Sequence, residues 1–231
     1  MSSVTENLQS IEQRIRAACQ RAGRDRSEVT LISVTKTKPV SMLEEAYAAG
    51  ERNFGENKVQ EILAKAPELP QDITWHMIGH LQTNKVRQVI TRAGMIHSID
   101  SEKLAETVSR EAVKAGICMP VLIEVNAAGE ESKFGVSPEE TEELIRRIAP
   151  LPGIRVRGLM TIAPYTEDPE TNRPYFAALK RLCLDISQKS IDNVDMYELS
   201  MGMTGDFEVA IEEGATFIRI GSGIFGERIY S

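Results

Sequence analysis

Two spacings of apolar residues alternate along the chain. Short β-branched and aliphatic runs read as strands, and stretches in which apolar residues recur every three or four positions read as helices. The first stretch is helical. Ser3 and Glu6 form a capping box, Leu8, Ile11, Ile15 and Cys19 make one stripe, and Gly23 supplies the stop. Residues 1–23 are therefore predicted as a helix that covers the outside of the fold. A strand follows over 29–34, after which Pro39 bars a further ladder. Ser41 with Glu44 makes a second capping box, for a helix whose inner face is Leu43, Ala46 and Tyr47 and which stops at Gly50. The alternation continues with strands predicted over 53–56, 74–78, 95–99, 121–125, 155–160, 196–199 and 216–220. Helices are predicted between them over 56–65, 84–92, 102–115, 138–148, 169–188 and 206–213. The start of the 138–148 helix is marked by Ser137 as cap, Pro138 at the first position and Glu140 as box partner. Eight strands separated by helices, in a chain near the ~250 residues typical of the fold, predict an α/β protein with a single (β/α)8 TIM barrel. A doubly wound open sheet shares this alternation and is the alternative. No break in composition marks a second domain, so residues 1–231 are read as one barrel.

Composition narrows the function classes. A net charge of −7 argues against a general nucleic-acid binder, which would need a basic face. No apolar run reaches the length of a membrane span, and the first residues lack the basic region and apolar core of a signal peptide, so a cytoplasmic protein is expected. Cys19, Cys118 and Cys183 are odd in number and widely spaced, and they read as reduced core thiols. No long apolar surface stripe is evident, which favours a monomer.

The candidate chemistry lies at strand ends. Lys36 follows the first strand on the same face as Ile32 and Val34, so its amine emerges from an apolar row. Desolvation there, with like charge from Lys38, would lower its pKa from about 10.4 and make it nucleophilic enough for Schiff-base chemistry. The competing reading is an edge lysine that extends into water. In a barrel, phosphate is often held by the loops after strands seven and eight. Here these are residues 200–205 and 221–223, which offer glycines, the hydroxyls of Ser200, Thr204 and Ser222, and a helix start near Asp206; tight turns alone would also explain the glycines. Arg219 lies between Ile218 and Ile220 and needs either a core carboxylate or a ligand. His76 and His80 have the spacing of a zinc helix, but the usual glutamate is missing and Gly79 breaks the helix. His80 is read as a pocket wall and His97 as a satisfied core residue; Asp100, Glu124 and Asn126 also fall at strand ends, without a pattern that assigns them a role.

Several stretches then resemble the pyridoxal phosphate homeostasis protein family. They are residues 34–38, Phe54-Gly55-Glu56-Asn57, residues 75–82 with Asn84-Lys85, and residues 158–162. The closing run is similar too: Leu199-Ser200-Met201-Gly202-Met203 with Asp206, Ile218-Arg219-Ile220-Gly221, and Phe225-Gly226. The resemblance covers nearly the whole chain in order. It implies a barrel of the alanine racemase N-terminal type that holds pyridoxal 5'-phosphate as a Schiff base on Lys36. It also implies that Ser200, Gly202, Gly221 and Ser222 cradle the phosphate, that Arg219 faces the pyridine nitrogen and that Asn57 lies beside the ring. Lys38 matches a second lysine that helps move the cofactor on or off. A cation facing the ring nitrogen weakens the cofactor as an electron sink. Racemases of the related fold draw a second acid or base from a further β domain and a partner chain, and the sequence read to Ser231 has no such domain. The expected function is therefore intracellular cofactor homeostasis and delivery with little or no turnover. Expected partners are pyridoxal-phosphate-dependent apoenzymes or a regulatory protein. The alternatives are an amino-acid racemase or decarboxylase with its second base drawn from within the barrel, for instance His80 or Tyr165, and a cofactor-free Schiff-base aldolase using Lys36.

Overall fold

The computed structural model describes residues 3–130 and 133–227. Its strands are β1 Thr30–Val34, β2 Asn53–Glu56, β3 Thr74–Met77, β4 Ala93–Ile99, β5 Met119–Glu124, β6 Ile154–Met160, β7 Val194–Ser200 and β8 Phe217–Ile220. All pair in parallel and in chain order, and β8 closes on β1 with Ile32 opposite Arg219, so the sheet is a closed barrel. The open sheet is excluded. The helices are α1 Val4–Ala22, α2 Val40–Ala48, α3 Val59–Lys65, α4 Val86–Val89, α5 Glu102–Lys114, α6 Pro138–Ile148, α7 Arg173–Ser187, α8 Phe207–Glu212 and α9 Ser222–Phe225.

The period-two alternation of each strand divides its side chains between two cores. Ile32, Met95, Leu122, Met160 and Phe217 fill a layer inside the barrel, whereas Leu31, Ile218 and Ile220 belong to the larger core between strands and helices. Gly158 has φ of +153°, and a Cβ there would fall 1.8 Å from the Glu198 carbonyl oxygen, so only glycine permits this β6–β7 contact. α1 has the predicted box between Ser3 and Glu6, ends on Gly23 at φ of +65°, and buries Leu8, Ile11, Ile15 and Cys19. It packs against α2, α8 and α9. That apolar stripe holds it in place; its part-exposed ion pairs, Arg14 with Glu208 and Arg21 with Glu212, are worth at most about 1 kcal/mol each.

Some local expectations need correction. α2 starts at Val40 with Pro39 as its cap and no side-chain capping bond, so Ser41 lies inside the first turn and caps nothing. Glu56 ends β2 rather than starting a helix, and the 84–92 stretch is a 3-10 turn followed by the single turn of α4. Cys19 and Cys183 are buried, but Cys118 is exposed in the loop that leads from Gly116 into β5.

Candidate functional site

A cavity of about 490 Å³ opens at the C-terminal end of the barrel strands. Val34, Lys36 and Lys38 reach it from β1 and its loop, Asn57 from beyond β2, and Thr204, Gly205 and Asp206 from beyond β7. Arg219 reaches it on β8, with Gly221 and Ser222 beyond. The predicted face is correct: Ile32 lies in the lumen, and Val34 and Lys36 line the cavity above it. Lys36 is half-buried at the second position of a four-residue turn, closed by the Lys38 N–H donating to the Thr35 carbonyl at 3.0 Å. The Lys38 ammonium donates to the carbonyls of Phe225, Gly226 and Glu227 at 2.9, 2.9 and 3.1 Å, which ties the end of α9 to this turn.

Arg219 is buried, and its hydrogen bonds settle one of the two expectations for it. Nη1 donates to Ser200 Oγ at 2.7 Å and Nη2 to the Thr161 carbonyl at 2.8 Å, so neutral acceptors rather than a carboxylate hold it. Behind Ser200 runs a chain of buried groups. Ser200 Oγ is 2.9 Å from His97 Nδ1, His97 Nε2 is 3.0 Å from His76 Nδ1, and His76 Nε2 is 3.0 Å from Asn53 Oδ1. With Asn53 presenting its oxygen, every donor points one way, from Arg219 through Ser200, His97 and His76 to Asn53, and each histidine needs only one proton. Burial fits this: it holds His76 down at about 4, and it holds His97 well below its ordinary range, helped by repulsion from His76 and Arg219. Burial lowers Arg219 to about 10 against the attraction of Glu124 and Asp206, so it is still a cation at neutral pH. A guanidinium has five N–H donors, and Arg219 lines the cavity while donating to Ser200 and Thr161, so it can offer a hydrogen bond to an acceptor bound there.

Glu124, at the end of β5, is buried, and its Oε2 has no hydrogen-bond partner among the described residues. Burial, reinforced by Asp100 and opposed by Arg219, raises its carboxyl from 4.5 to about 7. Between these values the folded state holds a proton that the unfolded chain has released. Stability therefore falls as pH rises through this window, by up to about 3 kcal/mol. Glu124→Gln is expected to be more stable than the parent at pH 8 and equal to it near pH 4.5 in urea unfolding. A difference that does not change with pH would contradict this.

At the other end of the cavity, Ser222 Oγ and the Gly223 N–H both meet Thr204 Oγ1, at 3.2 and 3.3 Å. The loops after β7 and β8 thus form one hydroxyl- and glycine-rich surface. A Cβ on Gly221 would stand 3.3 Å from the Val34 carbonyl oxygen, which keeps β1 close against this surface. The expected contribution from a helix start is smaller than predicted. α8 has only six residues, and the Asp206 carboxylate at its start already accepts from the Met203 N–H at 2.7 Å and from Asn172 Nδ2 at 2.8 Å.

Three sequence candidates lie outside the cavity wall. Ser200 is fully buried on Arg219 and His97. Gly202 has φ of +88°, and a Cβ there would come 2.5 Å from the Ala210 Cβ, so this glycine lets its loop pack on α8. His80 stacks on Phe134, with ring centroids 3.9 Å apart, and its Nδ1 is 3.2 Å from Asp100 Oδ2. β3 ends at Met77, and the chain has turned away by this point. His97 is the satisfied core residue expected. Its pairing with His76 is not foreseen from the sequence, although both occupy inward-facing positions of neighbouring strands and two histidines there are a usable signal.

The alanine racemase N-terminal domain family matches residues 7–229. The pyridoxal phosphate homeostasis protein of Aquifex aeolicus is 47% identical over 226 residues, covering 97% of this chain and 98% of that protein. The Homo sapiens protein of the same name is 40% identical over 237 residues, covering 97% and 86%. Among solved structures, PipY of Synechococcus elongatus with PLP bound superposes with a TM-score of 0.84 at 36% identity, covering 97% of this chain and all of that one. The chain belongs to the pyridoxal phosphate homeostasis protein family and has the alanine racemase N-terminal fold.

Proposed function

We propose that this barrel binds pyridoxal 5'-phosphate covalently on Lys36 and serves cofactor homeostasis, holding and delivering the reactive aldehyde with little or no turnover. The observation that carries this reading is that one cavity brings together a strand-end amine, a buried guanidinium held by neutral groups, and the two hydroxyl- and glycine-rich loops. Pyridoxal phosphate supplies an aldehyde that condenses with an amine, with loss of one water, and a phosphate that anchors it. Lys36 provides the amine. Gly221, Ser222 and Thr204 bind the phosphate through N–H and O–H donors, and Asn57 flanks the ring. Arg219 donates to the ring nitrogen and keeps it unprotonated, so proton abstraction from a bound amino acid gains little stabilisation. Ser200 and Gly202 act behind the wall: Ser200 Oγ accepts from the guanidinium, and the Gly202 carbonyl accepts from the Arg219 N–H at 3.0 Å. Lys38 lines the same cavity and assists exchange of the cofactor.

The geometry favours a carrier over a racemase or decarboxylase. Of the second bases named as examples, His80 lies outside the cavity wall and Tyr165, on its rim, is 94% exposed. The protein is read as a cytoplasmic monomer that serves apoenzymes or a regulatory protein. In heavy water with pyridoxal phosphate and single L-amino acids, α-proton exchange is expected to run no faster than with free cofactor. Faster exchange would establish an enzyme instead.

A further inference from the structure

A buried ionic cluster lies directly beneath the Lys36 turn. The Lys65 ammonium, on α3, donates to Glu56 Oε1 at 2.6 Å, to Glu61 Oε2 at 2.8 Å and to the Thr35 carbonyl at 2.8 Å. Glu61 Oε2 also accepts from the Thr37 N–H at 2.7 Å, and Thr35 Oγ1 donates to Glu56 Oε1 at 2.6 Å. Both neighbours of Lys36 are thereby held, Thr35 by Lys65 and Thr37 by Glu61, from side chains one helical turn apart. Thr37 has φ of +65°, an unfavourable region for a β-branched residue, where glycine would be the ordinary choice. Such a conformation persists only when its surroundings impose it.

We infer that Glu61 and Lys65 are positioning residues for Lys36: they impose the left-handed Thr37 turn that aims the amine into the cavity. This rests on the reading of Lys36 as the cofactor-binding amine. Without the Glu61 carboxylate, Thr37 relaxes towards a negative φ and rotates the preceding residue away from its aim. A glycine at 37 adopts the same turn at no steric cost and makes the clamp dispensable.

Two measurements test this on the full chain. In the absence of cofactor, amide exchange at Thr37 is expected to be at least about tenfold slower in the wild type than in Glu61→Ala. Equal exchange overturns the clamp whether or not Lys36 binds anything. With pyridoxal phosphate, borohydride-trapped adduct on Lys36 is expected to form about tenfold more slowly in Glu61→Ala and to recover to within about twofold in Thr37→Gly/Glu61→Ala. Glu61→Gln, which keeps an acceptor for Thr37 should the alanine variant not fold, is expected to react within about twofold of the wild type. An unchanged rate in Glu61→Ala, or no recovery with glycine, overturns the positioning role. A protected Thr37 amide in a wild type that forms no adduct shows that the cavity reading has failed, and the positioning role fails with it.

Discussion

Lys36→Ala is expected to lose the visible absorption that pyridoxal phosphate would give with the wild type and to bind the cofactor about 100-fold more weakly, a loss of about 3 kcal/mol. The residual affinity is expected to come from the loops at Ser222 and Thr204 and from Arg219. Lys36 is half-buried on a loop and belongs to neither apolar core, so the unliganded variant is expected to keep the barrel fold. The distinction is sharp in thermal melts with cofactor. A concentration at 100 times the wild-type Kd stabilises the parent by about 2.7 kcal/mol, and the variant, at its own Kd, by about 0.4 kcal/mol. Equal stabilisation of the two proteins would remove Lys36 from the site.

The second large effect is on stability. Glu56 is fully buried and Lys65 is its cation, and the Oε2 of Glu56 already lacks a partner among the described residues. Burial raises the Glu56 carboxyl despite the hydrogen bonds from Lys65 and Thr35. Glu61 is less buried, and there the hydrogen bonds from Lys65 and Thr37 outweigh burial and lower the carboxyl. Lys65→Met leaves an uncompensated buried carboxylate and is expected to cost about 3–5 kcal/mol at pH 8. Because the folded-state pKa of Glu56 is raised, and rises further without Lys65, the cost shrinks as pH falls and Glu56 takes up a proton. Adding Glu56→Gln to Lys65→Met should recover part of the loss at pH 8 and little at pH 5. Urea unfolding at the two pH values measures both. A cost below about 1 kcal/mol at pH 8 would show that the pair does not hold the β1 loop.

The barrel was legible because its signals are local. Strand runs such as residues 29–34 and the Ser137-Pro138-Glu140 start of α6 report on their own neighbourhood, and α6 has the predicted bounds. That Lys36, Arg219, Gly221 and Ser222 line one cavity was legible because a closed parallel barrel collects its strand ends at one mouth, whereas Asn57 was named only through the family resemblance. What escaped depends on contacts between distant segments. Ser200 and Gly202 carry the sequence signature of a phosphate loop, yet Ser200, at the end of β7, is bonded to Arg219 and His97, and Gly202, in the loop beyond, packs on α8, which no local pattern reports. The pairing of Lys65 with Glu56 crosses from α3 to β2, and the lysine reads in sequence as an ordinary last-turn cation. His80 follows β3 by three residues, and its stacking on Phe134 is a contact with a segment more than fifty residues away.

Borohydride reduction of the wild-type protein loaded with pyridoxal phosphate, followed by peptide mapping, shows which amine carries the cofactor. A single reduced adduct is expected, on Lys36, with loss of the visible band on reduction. An adduct on Lys38 or on surface lysines, with Lys36 unmodified, would contradict it.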